Sequence, residues 1–275
     1  YSGFQNSDTS SVLTGDPSLS TNATATSDAG SYTITAAAGD LAATNYTFTY
    51  VDGTLTVNQK SLTITASDQS KTYGDTLTFV GNEFTTSTMV GSESVASASF
   101  TVASSADSTT TANVGTYAIT PSAASGASGT NLNNYSITYV DGTLTVGKRT
   151  LTATLTGSTT KTYDGTTAAT LTSSNYSLSN LVTGESITVS ETSATYDNKN
   201  AGTGKTVTAN LASDEFTAAS GTSLSNYTLP TGNVSGAIGE VTKADLSLSG
   251  TKTYDGTTSF AASDVTSVSG VNSET

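Results

Sequence analysis

The chain repeats itself at a fixed interval. Residues 45–57 return almost letter for letter at 134–146, so that 89 residues separate the two copies. The signature Lys-Thr-Tyr, followed by Gly-Asp or Asp-Gly, occurs three times, and its tyrosines are Tyr73, Tyr163 and Tyr254. A period of this size indicates tandem domains rather than one large fold.

The period divides the 275 residues into two complete repeats between two partial ones. The predicted domains are 1–58, the C-terminal part of a repeat; 59–147 and 148–243, the complete repeats; and 244–275, the N-terminal part of a further repeat. We therefore expect the chain to be a segment of a longer array of repeats. We expect 1–58 to lack its first strand and 244–275 to be poorly ordered when isolated.

Composition and periodicity favour strands over helices. Thr, Ser, Val and Tyr are prominent, and apolar residues alternate with threonine at 62–66 and 151–155. The best helical candidate, 90–100, is short and rich in serine. We predict an all-β chain, a tandem array of small antiparallel β-sandwich (immunoglobulin-like) domains. The alternative is a β-grasp-like repeat, which needs a helix that the pattern does not indicate.

Two Asp-Gly pairs, at 52–53 and 141–142, lie between alternating runs. Asp-Gly in this context is typical of a two-residue hairpin turn, in which both central residues have positive φ. The predicted cross-strand pairs are Tyr139 with Leu144, Ile137 with Val146, Tyr50 with Leu55, and Phe48 with Val57.

The Lys-Thr-Tyr signature has two forms, Gly74-Asp75 after the first tyrosine and Asp164-Gly165 after the second. Glycine usually marks the residue with positive φ. We therefore expect the turn to shift by one residue between two related types of domain.

Charge and residue content exclude several functions. The net charge is −13, which opposes binding to nucleic acid or to an anionic membrane, and no apolar run is long enough for a membrane span. Without His or Cys, triads and thiol chemistry are excluded. Residues 197–200 and 214–215 are weak calcium ligand clusters. We predict no enzyme and no catalytic, cofactor-binding or metal site.

Lysines and tyrosines recur at equivalent positions. Lys71, Lys161 and Lys252 precede the signature tyrosines, and their aliphatic stems are expected to pack along the domain. A sharper hypothesis is a lysine–asparagine isopeptide crosslink, with Asn134 or Asn226 as partner. The tyrosines that follow an asparagine are read as core tyrosines or, alternatively, as sugar-stacking platforms. These tyrosines are Tyr46, Tyr135 and Tyr227.

The order of these motifs resembles a known family. Residues 1–15, 30–35 and 50–57 look like the MBG repeat, the signature at 71–75 resembles its YGX type, and the signature at 161–167 resembles the YDG repeat. Such repeats occur in large secreted bacterial proteins similar to filamentous haemagglutinin-like adhesins. The resemblance implies a secreted or cell-surface location and supplies no catalytic residues.

We therefore predict a non-enzymatic stalk or spacer, whose partners are the neighbouring repeats of the same chain. The alternative is that the repeats bind host glycan or matrix protein at low affinity and gain by multivalency. An exposed aromatic row along the array would favour this alternative.

Overall fold

The computed structural model describes residues 1–273. Within them every regular element is a β strand or a single turn of 3-10 helix, which confirms the all-β prediction. No described residue forms the α-helix that a β-grasp repeat needs. The chain divides into two compact units. The first consists of Tyr1–Gln69, Thr78–Ser105 and Tyr117–Leu144, and the second of Ser70–Leu77, Ala106–Thr116 and Thr145–Thr275.

The described residues form 25 β strands. Those before residue 58 are β1 (Leu13–Thr14), β2 (Ser18–Thr21), β3 (Gly30–Ala37), β4 (Ala42–Ala43) and β5 (Gly53–Val57). Those of the first complete repeat are β6 (Lys60–Ala66), β7 (Gln69–Thr72), β8 (Phe84–Thr86), β9 (Val95–Val102), β10 (Gly115–Gly126), β11 (Tyr135–Val140) and β12 (Gly142–Gly147).

The later strands are β13 (Arg149–Thr150), β14 (Thr152–Leu155), β15 (Thr159–Thr162), β16 (Ala168–Thr170), β17 (Tyr176–Ser179), β18 (Ile187–Val189), β19 (Ser193–Tyr196), β20 (Gly202–Leu211), β21 (Phe216–Ala218), β22 (Tyr227–Thr228), β23 (Gly232–Thr242), β24 (Ser247–Gly250) and β25 (Val265–Ser269). The 3-10 turns are Ser10–Val12, Ala103–Ser105, Leu132–Asn134, Ser173–Asn175, Ser213–Glu215, Leu224–Asn226, Ala262–Asp264 and Val271–Ser273.

In the first unit the alternating strand β6 forms the core, as its period-2 pattern predicts. Leu62 and Ile64 are fully buried and pack with Tyr135. Strand β6 lies between β11 and β8. The half-buried residues around this core are Phe84, Met89, Val95, Ala124, Leu132 and Ile137.

The Asp141-Gly142 hairpin prediction is wrong. Strand β11 pairs in parallel with β6, whereas β12 lies in a second sheet of order β7-β12-β10-β9. Tyr139 therefore faces Ile64 and not Leu144. Neither residue of the pair has positive φ, which a type I′ turn requires. Gly142 is needed for another reason, because a Cβ there would lie 2.5 Å from the carbonyl oxygen of Ala66.

The predicted hairpin at 52–53 is also wrong. Strand β5 pairs with β3, so that Leu55 lies opposite Tyr32 instead of Tyr50. The Asp52 carboxylate accepts a hydrogen bond from the Ala36 N–H at 3.2 Å. In the second copy the alternating pattern continues across a change of strand partner, whereas in the first copy residues 46–52 form no strand before β5.

The second unit contains a five-stranded sheet of order β15-β23-β20-β19-β16. Strand β15 pairs in parallel with β23, and β13 pairs in parallel with β22. The prediction was of antiparallel pairing, and these two parallel pairs depart from it. The fully buried side chains of this unit include Leu151, Leu171, Val189, Val207 and Tyr227.

The shift of the signature turn is confirmed. Positive φ falls on Gly74, one residue after its tyrosine, with a value of 90°. In the next repeat it falls on Gly165, two residues after the tyrosine, with a value of 77°. The two forms of the signature therefore encode two turn geometries.

Candidate functional site

The candidate site is the junction between consecutive repeats, which is built around the Asn-Tyr pair. A 3-10 turn ends at Asn134 and another at Asn226, and the following strands begin with Tyr135 and Tyr227. In the first of these turns the side chain of Asn131 caps the backbone. A tight turn directly before a strand fixes where both side chains of the pair lie.

The tyrosine hydroxyl is satisfied on both sides. Tyr227 Oη donates to the carboxylate of Glu185 and accepts the N–H of Val182 at 3.0 Å. Glu185 and Val182 belong to one turn, because the Glu185 N–H donates to the Val182 carbonyl at 3.0 Å. A phenol held between an acid and an amide has no freedom to reorient.

The same arrangement recurs in the other repeats. Tyr135 Oη donates to the carboxylate of Glu93 and accepts the N–H of Val90. Tyr46 Oη donates to the carboxylate of Asp8 and accepts the N–H of Gln5. Burial and the Glu93 carboxylate raise the pKa of Tyr135.

The asparagine of the pair binds the repeat that precedes it. Asn226 Oδ1 accepts the N–H of Val114 at 2.9 Å, and its Nδ2 donates to Asn113 Oδ1 at 2.9 Å. At the earlier junction Asn134 Oδ1 accepts the N–H of Ala29 at 2.8 Å, and Nδ2 donates to Asp28 at 2.7 Å.

In the second unit the signature tyrosine of one repeat meets the junction tyrosine of the next. The rings of Tyr73 and Tyr227 pack edge to face with centroids 5.4 Å apart, and both hydroxyls donate to Glu185. Burial, followed by the Glu185 hydrogen bond, raises the pKa of each tyrosine to about 12. Both phenols therefore stay neutral at physiological pH and act as donors.

Arg149 closes this junction from the other side. Its guanidinium lies 3.2 Å from the Tyr73 carbonyl oxygen and 3.0 Å from Asp75 Oδ1. Gly74 permits the close approach, because a Cβ there would lie 2.5 Å from Val182 Cγ2. The glycine of this signature thus serves both the turn and the contact with the next repeat.

Tyr135 and Tyr227 are 3% and 1% exposed, so they are core tyrosines as predicted. The sugar-stacking alternative is wrong for these two residues, because a stacking platform must expose a ring face. Their acidic partners were missed from the sequence. The available signal was a valine three residues before Glu93 and three residues before Glu185, with serine following each acid.

The signature lysines organise their own turns. Lys71 Nζ donates to the carbonyls of Asp75 and Thr109 at 2.9 and 2.7 Å. Lys161 Nζ lies 2.8 Å from Asp164 Oδ1, and this hydrogen bond is the main reason that the pKa of Asp164 falls to about 2. Lys252 forms the same ion pair with Asp255 at 3.0 Å.

These contacts place the signature lysines and the junction asparagines in separate networks, so the proposed crosslink is not supported. Lys205 does meet an amide, because its Nζ lies 2.6 Å from Asn198 Oδ1. Asp197 pairs with the same ammonium at 3.2 Å. An ammonium group has no free lone pair and is not a nucleophile.

The weak calcium clusters do not assemble. Residues 197–198 are engaged with Lys205, and Glu215 Oε2 accepts the Ala212 N–H at 2.8 Å. Among residues 1–273 no group of three or more acids could hold a metal ion. In the same part of the chain no helix has the length and hydropathy to cross a membrane.

The fold and the junctions define an all-β protein made of tandem repeats. Residues 1–56 and 62–145 match the model of the MBG domain (YGX type), and residues 147–234 match that of the YDG domain. The chain therefore belongs to the MBG domain (YGX type) family and also carries a YDG domain. Both are repeat domains of the adhesin type. Searches of curated proteins and of solved structures found no match.

Proposed function

We propose that the chain is a non-enzymatic spacer of a secreted bacterial surface adhesin, made of repeats at 1–58, 59–147, 148–243 and 244–275. The observation that carries the proposal is the Asn-Tyr junction. Both junctions join two repeats by hydrogen bonds to backbone and side chain, and the later junction also joins them by the packed rings of Tyr73 and Tyr227. A spacer needs contacts of this kind, because repeats that swivel freely do not hold a distal segment away from a surface.

The connections between repeats support the same proposal. Two residues join β5 to β6, which begins at Lys60, and Lys148 alone joins β12 to β13. Flexible linkers of glycine and serine let domains rotate, and such short connections deny that freedom. The partners of each repeat are then its neighbours in the chain.

Burial at Tyr135 and Tyr227 weighs against the glycan- or matrix-binding alternative at these two tyrosines. Tyr135 and Tyr227 are buried within their own junctions and have no ring face to offer. The spacer proposal therefore stands as the function that the geometry supports best.

The test is a distance measurement across one junction. The chain contains no cysteine, so cysteines introduced at the exposed positions Thr35 and Ser99 can carry spin labels specifically. We expect a narrow label-to-label distance distribution by electron–electron dipolar spectroscopy. Asn134→Ala should broaden it, because the hydrogen bonds of Asn134 to Asp28 and Ala29 across the junction are lost.

The matched control is Asn45→Ala, which alters an exposed asparagine before the equivalent tyrosine. It should leave the distribution narrow. A broad distribution in the unaltered chain would contradict the spacer proposal, since the repeats would then move independently.

A further inference from the structure

The acceptor side of the junction occurs three times in this chain. An acid or amide and then a small apolar residue stand directly before the glycine that begins β3, β10 and β20; these pairs are Asp28-Ala29, Asn113-Val114 and Asn200-Ala201. The first two hold Asn134 and Asn226, as described above. The third pair borders an open cavity.

This cavity lies within the second unit and has a volume of about 410 Å³. Its walls include Tyr163, Asn200, Ala201, Ala244 and Val271. Each of them has a counterpart in the filled junction of the same unit. In the same order, the counterparts are Tyr73, Asn113, Val114, Arg149 and Val182. The same receptor is therefore present twice, once closed by Tyr227 and once open.

The strand beside the cavity carries apolar surface that is covered in the filled copy. Leu246 lines the cavity and is 58% exposed, whereas Leu151, at the corresponding place before β14, is 2% exposed. In the filled copy β13 pairs in parallel with the strand of Tyr227. Burying one leucine side chain stabilises a contact by about 1.5–3 kcal/mol.

We propose that the cavity is a docking site for the Asn-Tyr strand of a further repeat of the same kind, joined in tandem. The asparagine Oδ1 accepts the Ala201 N–H and its Nδ2 donates to Asn200 Oδ1. The tyrosine ring packs against Tyr163 and Leu246, and the strand runs parallel to 244–245. The continuity with two filled junctions in the same chain identifies this occupant.

The groups that hold the asparagine are neutral, and Lys243 and Asp245 also line the cavity. Amide and backbone groups make the hydrogen bonds, and a ring and a leucine make the apolar contact. Because the chain carries a net charge of −13, a second copy approaches against repulsion that salt screens. A tandem segment has no such barrier, since the chain itself holds it close.

The experiment extends the full chain after Thr275 by a twenty-residue Gly/Ser linker and a copy of residues 222–230, which contain the Asn-Tyr pair. Such a linker spans roughly 25 Å on average and gives a millimolar effective concentration. The readout is amide hydrogen exchange at Ala201. We expect at least tenfold slower exchange than in the chain without the extension.

The matched control carries the same extension with its asparagine and tyrosine both changed to alanine, and it should leave Ala201 exchange unchanged. Leu246→Ser, at an exposed position, should weaken the protection given by the intact extension. The amides of Ala29 and Val114, which are bonded at the filled junctions, report that the fold is unaltered.

Three outcomes would overturn the inference. The first is unchanged Ala201 exchange while Ala29 and Val114 stay protected. The second is equal protection by the alanine-substituted extension, which would mean that any tethered segment covers the cavity. The third is protection of Ala201 in the unextended chain that grows with protein concentration, which would make a second copy the occupant. None of these readouts depends on where the protein is located, so failure here leaves the spacer proposal intact.

Discussion

At the scale of single residues, the position of a tyrosine does not say what its hydroxyl does. Tyr227 donates to Glu185 and accepts from Val182, whereas the buried hydroxyl of Tyr176 has no hydrogen-bond partner in the described part of the chain. Burial raises the pKa of both to about 12. The sequence predicts that such tyrosines are buried, but their partners come from distant turns that periodicity does not connect.

Replacing each of these two tyrosines by phenylalanine should have different effects on stability. Tyr227→Phe leaves the Val182 N–H unpaired and removes one of the two tyrosine hydrogen bonds to Glu185, so it should cost about 1–3 kcal/mol of unfolding free energy. Tyr176→Phe removes an unpaired buried hydroxyl and should be neutral or slightly stabilising. Amide hydrogen exchange of core residues such as Val207 measures both changes. Equal losses would show that the Tyr227 hydrogen bonds contribute nothing.

The ion pair in the Asp-Gly turn should respond to acid. The pKa of Asp164 is about 2, below the ordinary 3.8, because Lys161 and then Thr166 hydrogen-bond to the carboxylate. The stabilisation is therefore present above about pH 4 and is lost as the pH falls through 2. Carboxyl-carbon NMR should give a midpoint near 2 in the native chain and a higher one in Lys161→Met. A native midpoint near 3.8 would contradict the ion pair.

At the scale of elements, a local sequence pattern predicts which face of a strand is buried better than it predicts which strand that strand pairs with. The alternation around Asp141-Gly142 correctly indicates two strands, and Leu144 and Val146 are buried as expected. It does not distinguish a hairpin from a chain that passes between two sheets, because both place alternate residues inward. That choice depends on β6, which lies some seventy residues earlier in the chain.

Two glycines of one strand test this account. Gly142→Ala places a Cβ 2.5 Å from the Ala66 carbonyl oxygen, so it should destabilise the fold by about 1–3 kcal/mol. Gly147→Ala is the matched control, because its nearest neighbour, the Lys71 carbonyl oxygen, is 3.9 Å away. It should change stability by less than about 0.5 kcal/mol. Urea unfolding compares the two, and equal effects would refute the close approach at Gly142.

At the scale of the whole molecule, repetition is visible in the sequence but the contacts between repeats are not. The period predicts tandem domains, and the matches to MBG and YDG domains agree with that organisation. The hydrogen bond from Val114 to Asn226 joins residues 112 positions apart. A single sequence contains no signal for such a pair beyond the recurrence of each partner.

Removing the junction asparagine should loosen the joint without unfolding either repeat. Asn226→Ala leaves the half-buried Val114 N–H unpaired, at a cost of about 1–3 kcal/mol. We expect exchange at the Val114 amide to become faster by ten-fold or more, while Val207 in the core changes little. Asn45→Ala, which alters the exposed copy of the motif, should change neither amide. Unchanged Val114 exchange in Asn226→Ala would refute the role of the asparagine.

The parallel pairing of β15 with β23 has a mechanical consequence. The four pairs run from Thr159 opposite Gly239 to Thr162 opposite Thr242, and they join a strand near the start of the repeat to the strand at its end. Pulling the two ends of such a repeat apart slides these strands along each other. All the hydrogen bonds between them then share the load and must break together, whereas a hairpin pulled from its open end unzips one bond at a time. A repeat with this strand pairing resists a pulling force, such as drag from flowing liquid, far better than its modest core suggests.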